Sequence, residues 1–515
     1  MDRLHFLLLP LPNWGHVRPI CVLAGRIAAE NNTVTILMAP NLLDKGRAEV
    51  SRQFRSGHEG LQRIRVVSMF ESTETQIFQL IKPFAEFYPA AYKTLHEGEP
   101  IKCATTRTLF NAAPPPVAVI MDASPDFFAV PQLQATRALS GTSVPIVAWV
   151  TGGASTILRL FGPESMGGLG NFGERIDAEA QRTGKNPVEI GDKIFRHTDG
   201  TVVNIPGLPP MYDYEFFPQK LPFEAPVSPI VRGGYTFLMA CDAVIISTAE
   251  AYEEVSLKAL ESWFTSLSKP LYAVGPLLPS EFGAETQLGE NDMGFKTFLD
   301  RMLAEYGAHS VIFISFGTVF WPTAQEYVDE LVEALLEKKA PFILSHASPF
   351  AKISEELAEK IQNSGIGMLT TWSPQQYILN HPATGWFLTH GGHGGIMEAL
   401  SSGVPLQAQR LICWPFDADQ PAAAKHLTQN LNVAFELVEV RTGLGLQPSY
   451  DNDRAPRGTC EAVGIEVRSI IDHSRGDAGR EKRKNVAQLK LKLGNAWDDE
   501  GPARRAMQAC LAPHT

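Results

Sequence analysis

The stretch "LTHGGHGGIMEALSSGVP", residues 388–405, joins an apolar run to a pattern typical of a helix. The apolar run ends at Thr389, glycines and histidines follow, and apolar residues then recur at helical spacing from Ile396. Strands that turn directly into helices build doubly wound α/β sheets, which bind ligands at the carboxyl ends of their strands. The stretch therefore predicts an α/β fold with a ligand site at this turn.

The glycines of this turn suit a phosphate group, because a backbone without Cβ atoms can approach it closely. The first N–H groups of a helix have no partner within the helix and carry partial positive charge, so they bind anions. His390 adds a donor that is neutral or cationic according to its protonation. Glu398 lies about one turn into the predicted helix, where its carboxylate matches the vicinal hydroxyls of a ribose. The stretch predicts a nucleotide site.

Three other interpretations of the same stretch remain open at this point. Glycine-rich turns are common and do not all bind phosphate. His390 and His393 are spaced so that they could share a metal ion, although no third ligand follows a helical metal motif. Glu398 could simply complement the dipole of the helix.

Short apolar runs recur along the 515 residues and alternate with patterns typical of amphipathic helices. Because the runs are continuous, they predict strands buried on both faces of parallel sheets. The runs lie at 5–12, 33–40, 63–70, 117–123, 144–151, 242–249, 310–318, 341–347, 367–372, 385–390 and 432–440. Two such series predict two doubly wound, Rossmann-like domains.

The limits of these domains follow from composition. The polar, glycine-rich stretch 281–294 predicts a linker, and the polar stretch 441–459 predicts an exposed loop. The predicted parts are an N-terminal domain at 1–280, the linker, a C-terminal domain at 295–480 and final helices at 481–515.

Charge and cysteine content limit the partners. The formal net charge of −11 disfavours nucleic acid as a partner. Six scattered cysteines without a Cys-x-x-Cys pair are typical of reduced thiols in the cytosol. No apolar stretch approaches the roughly 18 residues that a spanning helix needs. We expect a cytoplasmic monomer without nucleic-acid partners or stable membrane insertion.

A longer pattern surrounds the opening stretch and resembles the nucleotide-sugar-binding block of the family-1 UDP-glycosyltransferases. Its elements keep their order and, from Trp372 to Pro405, their spacing: Trp372, Pro374, Gln375, Leu379, His381, Gly385, Phe387, Thr389, His390, Gly392, Glu398, Gly403, Val404, Pro405, Asp419 and Gln420. Further segments resemble the family across most of the chain, at 10–28, 117–129, 202–211, 244–260, 271–279 and 311–320. The resemblance implies the GT-B architecture, in which two Rossmann-like domains face a cleft. It also implies that the final helices pack back on the N-terminal domain.

The resemblance implies a role for each residue of the donor site. Trp372 would stack on uracil with Ser373 and Gln375 beside it, and Glu398 would bind the ribose. Asp419 and Gln420 would bind the sugar, which we expect to be glucose from a UDP-sugar co-substrate. The diphosphate cradle would comprise Ser315, Gly317, Thr318, His390, Gly392, Gly394 and Gly395, and Gly15 is a further donor-binding residue. No metal and no further cofactor is needed in this scheme, because helix dipoles and His390 act on the leaving diphosphate.

His16 and Asp122 are the predicted catalytic residues. His16 follows the first predicted strand, and an imidazole there suits a general base because it titrates near neutral pH. Asp122 ends another strand and could fix the tautomer of that imidazole. Alone, the two could instead be a polar residue at a helix start and a strand-end cap. The resemblance favours inverting transfer to an acceptor hydroxyl.

The acceptor is expected to be a hydrophobic small molecule, such as a phenol, a terpenoid or a hydroxylated lipid. Its predicted lining is aromatic, with Trp14, Phe87, Phe128 and Trp149. The alternative function is a non-catalytic module that binds a nucleotide-sugar or a lipid on the same fold. A binding module has no use for a general base, so His16 with Asp122 argues against it.

One departure from the family pattern affects donor binding. Plant members usually have Trp-Asn-Ser where this chain has His393-Gly394-Gly395. The asparagine contact to phosphate is therefore missing at Gly394, and backbone N–H groups would have to replace it.

Overall fold

The computed structural model describes residues 3–54, 58–123, 128–223, 226–279, 292–402 and 410–512. Most of the predicted linker 281–294 lies outside the described residues, as does the Gly403-Val404-Pro405 end of the opening stretch.

The strands of the described residues coincide with the predicted apolar runs, with additions. They are β1 (His5–Leu9), β2 (Thr33–Leu37), β3 (Ile64–Val67), β4 (Ile101–Lys102), β5 (Leu109–Phe110), β6 (Ala118–Asp122), β7 (Ile146–Val150), β8 (Val202–Val203), β9 (Met211–Tyr212), β10 (Ala243–Ile246), β11 (Leu271–Ala273), β12 (Val311–Ser315), β13 (Phe342–Ser345), β14 (Gly367–Thr370), β15 (Thr384–Thr389), β16 (Arg410–Cys413) and β17 (Ala434–Glu436).

Helices connect most consecutive strands of the two large sheets. They are α1 (Trp14–Ala29), α2 (Leu43–Ser51), α3 (Glu59–Gln62), α4 (Ile77–His96), α5 (Ala129–Ser140), α6 (Ala154–Phe161), α7 (Phe172–Thr183), α8 (Pro187–Phe195), α9 (Ser228–Ala240), α10 (Glu250–Ser266), α11 (Met293–Tyr306), α12 (Gln325–Glu337), α13 (Glu355–Ser364), α14 (Gln375–Asn380), α15 (His393–Ser401), α16 (Gln420–Lys425), α17 (Cys460–Arg475), α18 (Asp477–Gly494) and α19 (Pro502–Leu511).

Two parallel sheets organise the molecule. One has the order β11-β10-β7-β6-β1-β2-β3 and the other the order β14-β13-β12-β15-β16-β17. Every residue of β1, β2, β7 and β12 is buried, which explains why apolar residues predominate in their sequences. The predicted fold class of two doubly wound α/β domains is confirmed.

The strand order fixes where each sheet has its topological switch point. In the first sheet β1 lies between β2 and β6, so that Leu7 pairs with both Thr35 and Val119. In the second sheet β12 lies between β13 and β15. In each sheet, the strands that follow the central one are added first on one side of it and then on the other, so the winding direction reverses there. Ligand crevices of open α/β sheets form there, at the carboxyl ends of β1 and β6 and of β12 and β15.

The chain divides into two compact units that are not continuous in sequence. The first comprises Met1–His197, Pro226–Glu281 and Ala496–Thr515, and the second comprises Thr198–Ala225 and Phe282–Asn495. The domain limits predicted from composition stay a prediction. In this division, residues 198–225 belong with the later half of the chain and residues 496–515 with the earlier half.

Two local expectations differ from the structure. Strand β16 was not predicted, because Arg410 opens it and interrupts the apolar pattern. The stretch 441–459, predicted as an exposed loop, buries Arg441 and Ser449, each 2% exposed. Among the described residues, no helix combines the length and the apolar character that crossing a membrane demands.

Candidate active site

The turn after β1 places His16 at the start of α1. The Asn13 side chain caps this helix by accepting a hydrogen bond from the Gly15 N–H at 2.9 Å. His16 is the third residue of the helix and its side chain is 28% exposed. The cap therefore holds the imidazole at the carboxyl edge of the first sheet, while Gly15 beside it is exposed.

His16 and Asp122 are paired, as the sequence predicted. The distance from His16 Nδ1 to Asp122 Oδ2 is 2.8 Å, and the Asp122 side chain is 2% exposed. The same carboxylate oxygen accepts the Leu11 N–H at 3.1 Å. The pair forms because β1 and β6 are neighbours, so that the turn after β1 meets the end of β6. This is the switch point of the first sheet.

The pairing selects one tautomer of the imidazole. A carboxylate only accepts hydrogen bonds, so Nδ1 of His16 carries a proton and donates the hydrogen bond to Asp122. The basic nitrogen is then Nε2. Thr151, directly after β7, places its Oγ1 3.2 Å from the same Nδ1. The arrangement can accept a proton at Nε2 and stabilise the imidazolium that forms.

Thr151 was not predicted. What could have indicated it is its position directly after β7, the neighbour of β6. The carboxyl ends of neighbouring parallel strands meet at one edge of the sheet, so residues that follow β6 and β7 lie close together. Strand order is a tertiary property, and the sequence alone did not give it.

His390 lies at the switch point of the second sheet, directly after β15, and is packed against glycines. A Cβ atom at Gly317 would lie 2.9 Å from its ring, and one at Gly392 would lie 2.6 Å from its Nε2. Gly317 also has a φ of +75°, which L side chains rarely adopt. Both glycines are therefore required for the imidazole to occupy this position.

Burial determines the charge of His390. Desolvation lowers the pKa of its imidazole to about 4. His390 is therefore a neutral donor or acceptor at neutral pH, and not the cation that the sequence left open.

The start of α15 is tied to Asp419. Its N-cap residue Gly392 has no side chain to cap the helix, and the His393 N–H donates to Asp419 Oδ2 at 3.2 Å. Gly394 is exposed, and a Cβ atom there would meet nothing within 4 Å. Gly395 would place a Cβ atom at ordinary contact distance from its neighbours. The glycines near the helix start thus differ widely in the space available for a side chain.

Asp419 and Gln420 begin α16. The Gln420 side chain is 2% exposed, and its Oε1 accepts the Phe416 N–H at 2.9 Å. This hydrogen bond holds the loop before α16, while Asp419 joins α16 to α15. The two predicted sugar contacts are therefore also structural supports of this corner.

Glu398 is held by two glutamines of α14. Its Oε2 accepts Gln375 Nε2 at 2.7 Å, and its Oε1 accepts Gln376 Nε2 at 3.2 Å. The carboxylate is 5% exposed. Gln376 was not predicted. Its position next to Gln375 could have indicated it. The sequence does not show which side of the short helix α14 faces Glu398, because that depends on tertiary packing.

The remaining predicted residues are placed as follows. Trp372, directly after β14, is 54% exposed, which suits a ring that stacks on a ligand. Ser373 precedes α14 and is half-buried. At the end of β12, Ser315 is buried and its Oγ accepts the Gly317 N–H at 3.3 Å, whereas Thr318 is exposed.

The predicted acceptor-lining residues differ in exposure. Phe128 and Trp149 are fully buried, with no exposed side-chain area. Phe87 is 47% exposed and stacks on Phe70 with ring centres 5.7 Å apart. Trp14 is half-buried at the first position of α1. Their predicted role stays a prediction.

The structure brings the predicted residues together in two groups. Gly15, His16 and Asp122 belong to the first unit, and the donor-block residues from Ser315 to Gln420 belong to the second. Within the described part of the chain, no three His, Cys, Asp or Glu residues converge as a metal site would need.

The sequence is similar to glycosyltransferases. A family model described as "UDP-glucoronosyl and UDP-glucosyl transferase" matches residues 257–442. The chain is 33% identical over 526 residues to "UDP-glycosyltransferase eriJ" of Hericium erinaceus, with 98% of each chain covered. It is 29% identical over 277 residues to the "(R)-mandelonitrile beta-glucosyltransferase" of Prunus dulcis, covering 52% of this chain and 51% of that protein.

Solved structures share the fold. A ugt transferase from Siraitia grosvenorii in complex with UDP has a TM-score of 0.67 at 17% identity, with 99% of each chain covered. Phytolacca americana UGT2, complexed with UDP-2fluoro-glucose and pterostilbene, has a TM-score of 0.65 at 18% identity, with 98% of each chain covered. The predicted GT-B fold is confirmed by this likeness.

Proposed function

The chain belongs to the UDP-glycosyltransferase family and is a UDP-dependent glycosyltransferase, and on that premise we propose that it transfers glucose to a hydroxyl of a hydrophobic small molecule, with inversion. The observation that carries the proposal is the 2.8 Å contact between His16 Nδ1 and Asp122 Oδ2. It leaves Nε2 of His16 as the basic nitrogen at the edge of the first sheet.

In this reaction His16 acts as the general base. Its Nε2 takes the proton of the acceptor hydroxyl as the oxygen attacks the anomeric carbon, and the bond from that carbon to the UDP oxygen breaks. Asp122 keeps the proton on Nδ1 and stabilises the imidazolium. Attack on the face opposite UDP turns an α-linked donor into a β-glycoside.

The second unit holds the donor. Trp372 stacks on uracil beside Ser373 and Gln375, and Glu398, held by its two glutamines, accepts the ribose hydroxyls. The N-terminus of α15 and the neutral His390 face the diphosphate, with the turn 315–318 completing the cradle. Asp419 and Gln420 bind the sugar hydroxyls. The UDP-sugar is the only co-substrate in this scheme, and no step is assigned to a metal.

The acceptor is proposed to be a phenol, a terpenoid or a hydroxylated lipid. The aromatic residues Trp14 and Phe87 at the surface of the first unit support an apolar acceptor. One relative is a mandelonitrile glucosyltransferase, and one structural neighbour is complexed with pterostilbene, which supports a small organic acceptor for this chain.

The test is a reaction matrix read by mass spectrometry. Purified protein is incubated with UDP-glucose, UDP-galactose or UDP-glucuronic acid and with a panel of phenols, terpenols and hydroxy fatty acids. We expect a hexose mass shift on at least one acceptor, with UDP-glucose the best donor. Binding of UDP without transfer to any acceptor would favour the non-catalytic alternative.

The catalytic pair is tested by substitution. We expect His16→Ala to lower kcat by about a thousandfold, because it removes the base, and Asp122→Asn to lower it markedly, because it removes the carboxylate that orients the imidazole and stabilises the imidazolium. UDP affinity should not change. His197→Ala, at an exposed histidine of the same unit, is the matched control. Full turnover by His16→Ala would overturn the assignment of the base.

A further inference from the structure

A buried carboxylate ties the segment 198–225 to the rest of the second unit. Glu215 lies in a short 3-10 turn, Asp213–Phe216, and is 1% exposed. Its Oε1 accepts the N–H groups of Tyr212 at 3.1 Å and of Tyr450 at 3.0 Å. One oxygen of this carboxylate therefore fixes two backbone segments that lie more than two hundred residues apart in sequence.

The other oxygen of Glu215 faces two buried cations. It lies 3.6 Å from Lys425 Nζ and 3.7 Å from Arg441 Nη1, and these side chains are 5% and 2% exposed. Burial alone would lower the pKa of Arg441, but the carboxylates of Glu436, Glu215 and Asp451 outweigh it and raise the pKa. Buried charges need such partners, because each is costly when left alone.

Lys425 is the last residue of α16, and the chain continues from it into one π-helical turn, His426–Asn430, so these contacts hold the junction of the two helical segments. Asp451 accepts Lys425 Nζ at 3.3 Å and Gln429 Nε2 at 2.8 Å. The side chain of Asn430, just beyond, donates to the Gly207 carbonyl at 2.7 Å. We call Glu215, Lys425, Arg441 and Asp451 the Glu215 network.

The other end of α16 begins with Asp419 and Gln420. The helix has six residues, or about 9 Å at the rise of an α-helix. Because the helical backbone of α16 joins Gln420 directly to Lys425, we expect a displacement at Lys425 to displace Gln420 as well. Asp419 would follow, together with its hydrogen bond to the His393 N–H.

We propose that the Glu215 network is a positioning device that sets Asp419 and Gln420 against the sugar of the donor. It makes the segment 198–225 a determinant of donor-sugar recognition, although that segment is remote in sequence from the nucleotide-sugar block. The inference rests on the proposed function, in which Asp419 and Gln420 bind the sugar. Trp372, Gln375 and Glu398 lie on other elements, so binding of the nucleotide itself should not depend on the network.

The experiment distinguishes recognition of the donor's sugar from binding of its nucleotide. Glu215→Gln and Lys425→Met are made in the full-length protein, and KM for UDP-glucose is compared with the Kd of UDP. We expect KM to rise about tenfold, as for misplaced substrate contacts, with less than about a twofold change in the Kd of UDP. The double variant should be no worse than the poorer single variant, because both break one contact.

Two further variants guard the interpretation. Asp451→Asn removes a half-buried partner of Lys425 and should act in the same direction if Glu215→Gln fails to fold. Glu330→Gln breaks a partly buried contact with Arg468 in the same unit, distant in sequence from α16, and should leave KM for UDP-glucose unchanged. A matching rise in KM for Glu330→Gln would overturn the proposal, since general loosening of the unit would then suffice.

Failure of the inference and failure of the proposed function give different results. If Asp419→Ala and Gln420→Ala change KM for UDP-glucose while Glu215→Gln, Lys425→Met and Asp451→Asn do not, the positioning role is wrong. If Asp419→Ala and Gln420→Ala leave KM unchanged as well, the assignment of the sugar contacts is wrong.

Discussion

The glycines around His390 show how much one missing Cβ atom decides. At Gly317 and at Gly392, the His390 imidazole occupies the space that a Cβ atom would need, so a larger residue would displace the ring. Gly394 has no such neighbour, although it lies in the first turn of the same helix. The absence of a side chain is therefore a steric requirement at two positions and not at the third.

Gly394→Asn tests this difference. We expect the variant to fold normally and to bind UDP about tenfold more tightly, because an added amide can donate to the diphosphate. Gly392→Ala is the control and should weaken UDP binding by displacing His390. The measurement is titration calorimetry. An unchanged or weaker affinity of Gly394→Asn would contradict the proposed position of the diphosphate.

The charge of His390 gives a pH prediction. Its pKa of about 4 means that the imidazole has already lost its proton at pH 6.5 and has no charge to lose above that pH. The Kd of UDP-glucose should therefore stay within about twofold from pH 6.5 to 8.5. The non-titrating variant His390→Gln should show the same flat profile. A wild-type affinity that falls tenfold over this range, with His390→Gln unchanged, would show a cationic His390.

At the level of elements, the strands were the most predictable part. Within the run 310–318, residues 311–314 are continuously apolar because both faces of the sheet are covered, and β12 lies there. Strand β16 escaped prediction because Arg410 is buried in it. The guanidinium donates to the Gly385 carbonyl at 2.9 Å and lies 4.4 Å above the Trp386 ring. Only tertiary structure supplies such partners for a charged residue.

The site was predictable to a similar degree. Their positions at strand ends made His16 and Asp122 candidates, and the family resemblance favoured a catalytic role over a helix-start residue and a strand-end cap. Thr151 and Gln376 could not be found in that way, because their contacts depend on which strands are neighbours and which helix face is turned inward. The burial of Phe128 and Trp149 likewise depends on packing that a list of aromatic residues does not contain.

A buried carboxylate caps α6 from another helix. The kink in α10 at Glu253 brings its side chain to the start of α6, where its oxygens accept the N–H groups of Ala154 at 2.6 Å and Ser155 at 3.1 Å. Thr248 also donates to it. Thr151, which contacts His16, lies just before this helix start. The cap therefore supports the loop beside the His16–Asp122 pair.

Glu253→Ala is expected to destabilise the protein by about 3 kcal/mol, because it leaves buried donors without an acceptor. It should also lower kcat while leaving UDP affinity unchanged, since Thr151 loses its support. Thermal unfolding and turnover measure the two effects. Glu254→Ala is the neighbouring control, because Glu254 is exposed and pairs with Lys258 on the surface. Equal effects of the two substitutions would refute the capping role.

On the scale of the whole molecule, the last residues of the chain pack within the first unit. Trp497 Nε1 donates to the Pro276 carbonyl at 2.8 Å, and the Arg26 guanidinium lies 4.7 Å above the Trp497 ring. Arg504 lies 3.4 Å from Glu30. Arg26 belongs to α1, the helix that presents His16, so the C-terminal segment supports the helix on which the His16–Asp122 pair depends.

Trp497→Ala should therefore loosen α1. We expect a loss of about 2 kcal/mol of stability and faster hydrogen exchange in peptides that cover Trp14–Ala29. Peptides that cover His393–Ser401, in the other unit, should exchange as before. Trp372→Ala, at an exposed tryptophan, is the control and should not affect α1. Unchanged exchange in α1 would mean that Trp497 does not support it.

The discontinuous units bear on how hybrid enzymes could be built. Joining residues 1–280 of one parent to the remainder of another would set Glu215 of the first against Lys425 of the second, and Arg26 of the first against Trp497 of the second. Both mismatches disappear when residues 198–225 are exchanged with the later half and residues 496–515 are kept with the earlier one. Recombination that respects these four junctions should yield active chimaeras more often than a single crossover in the linker.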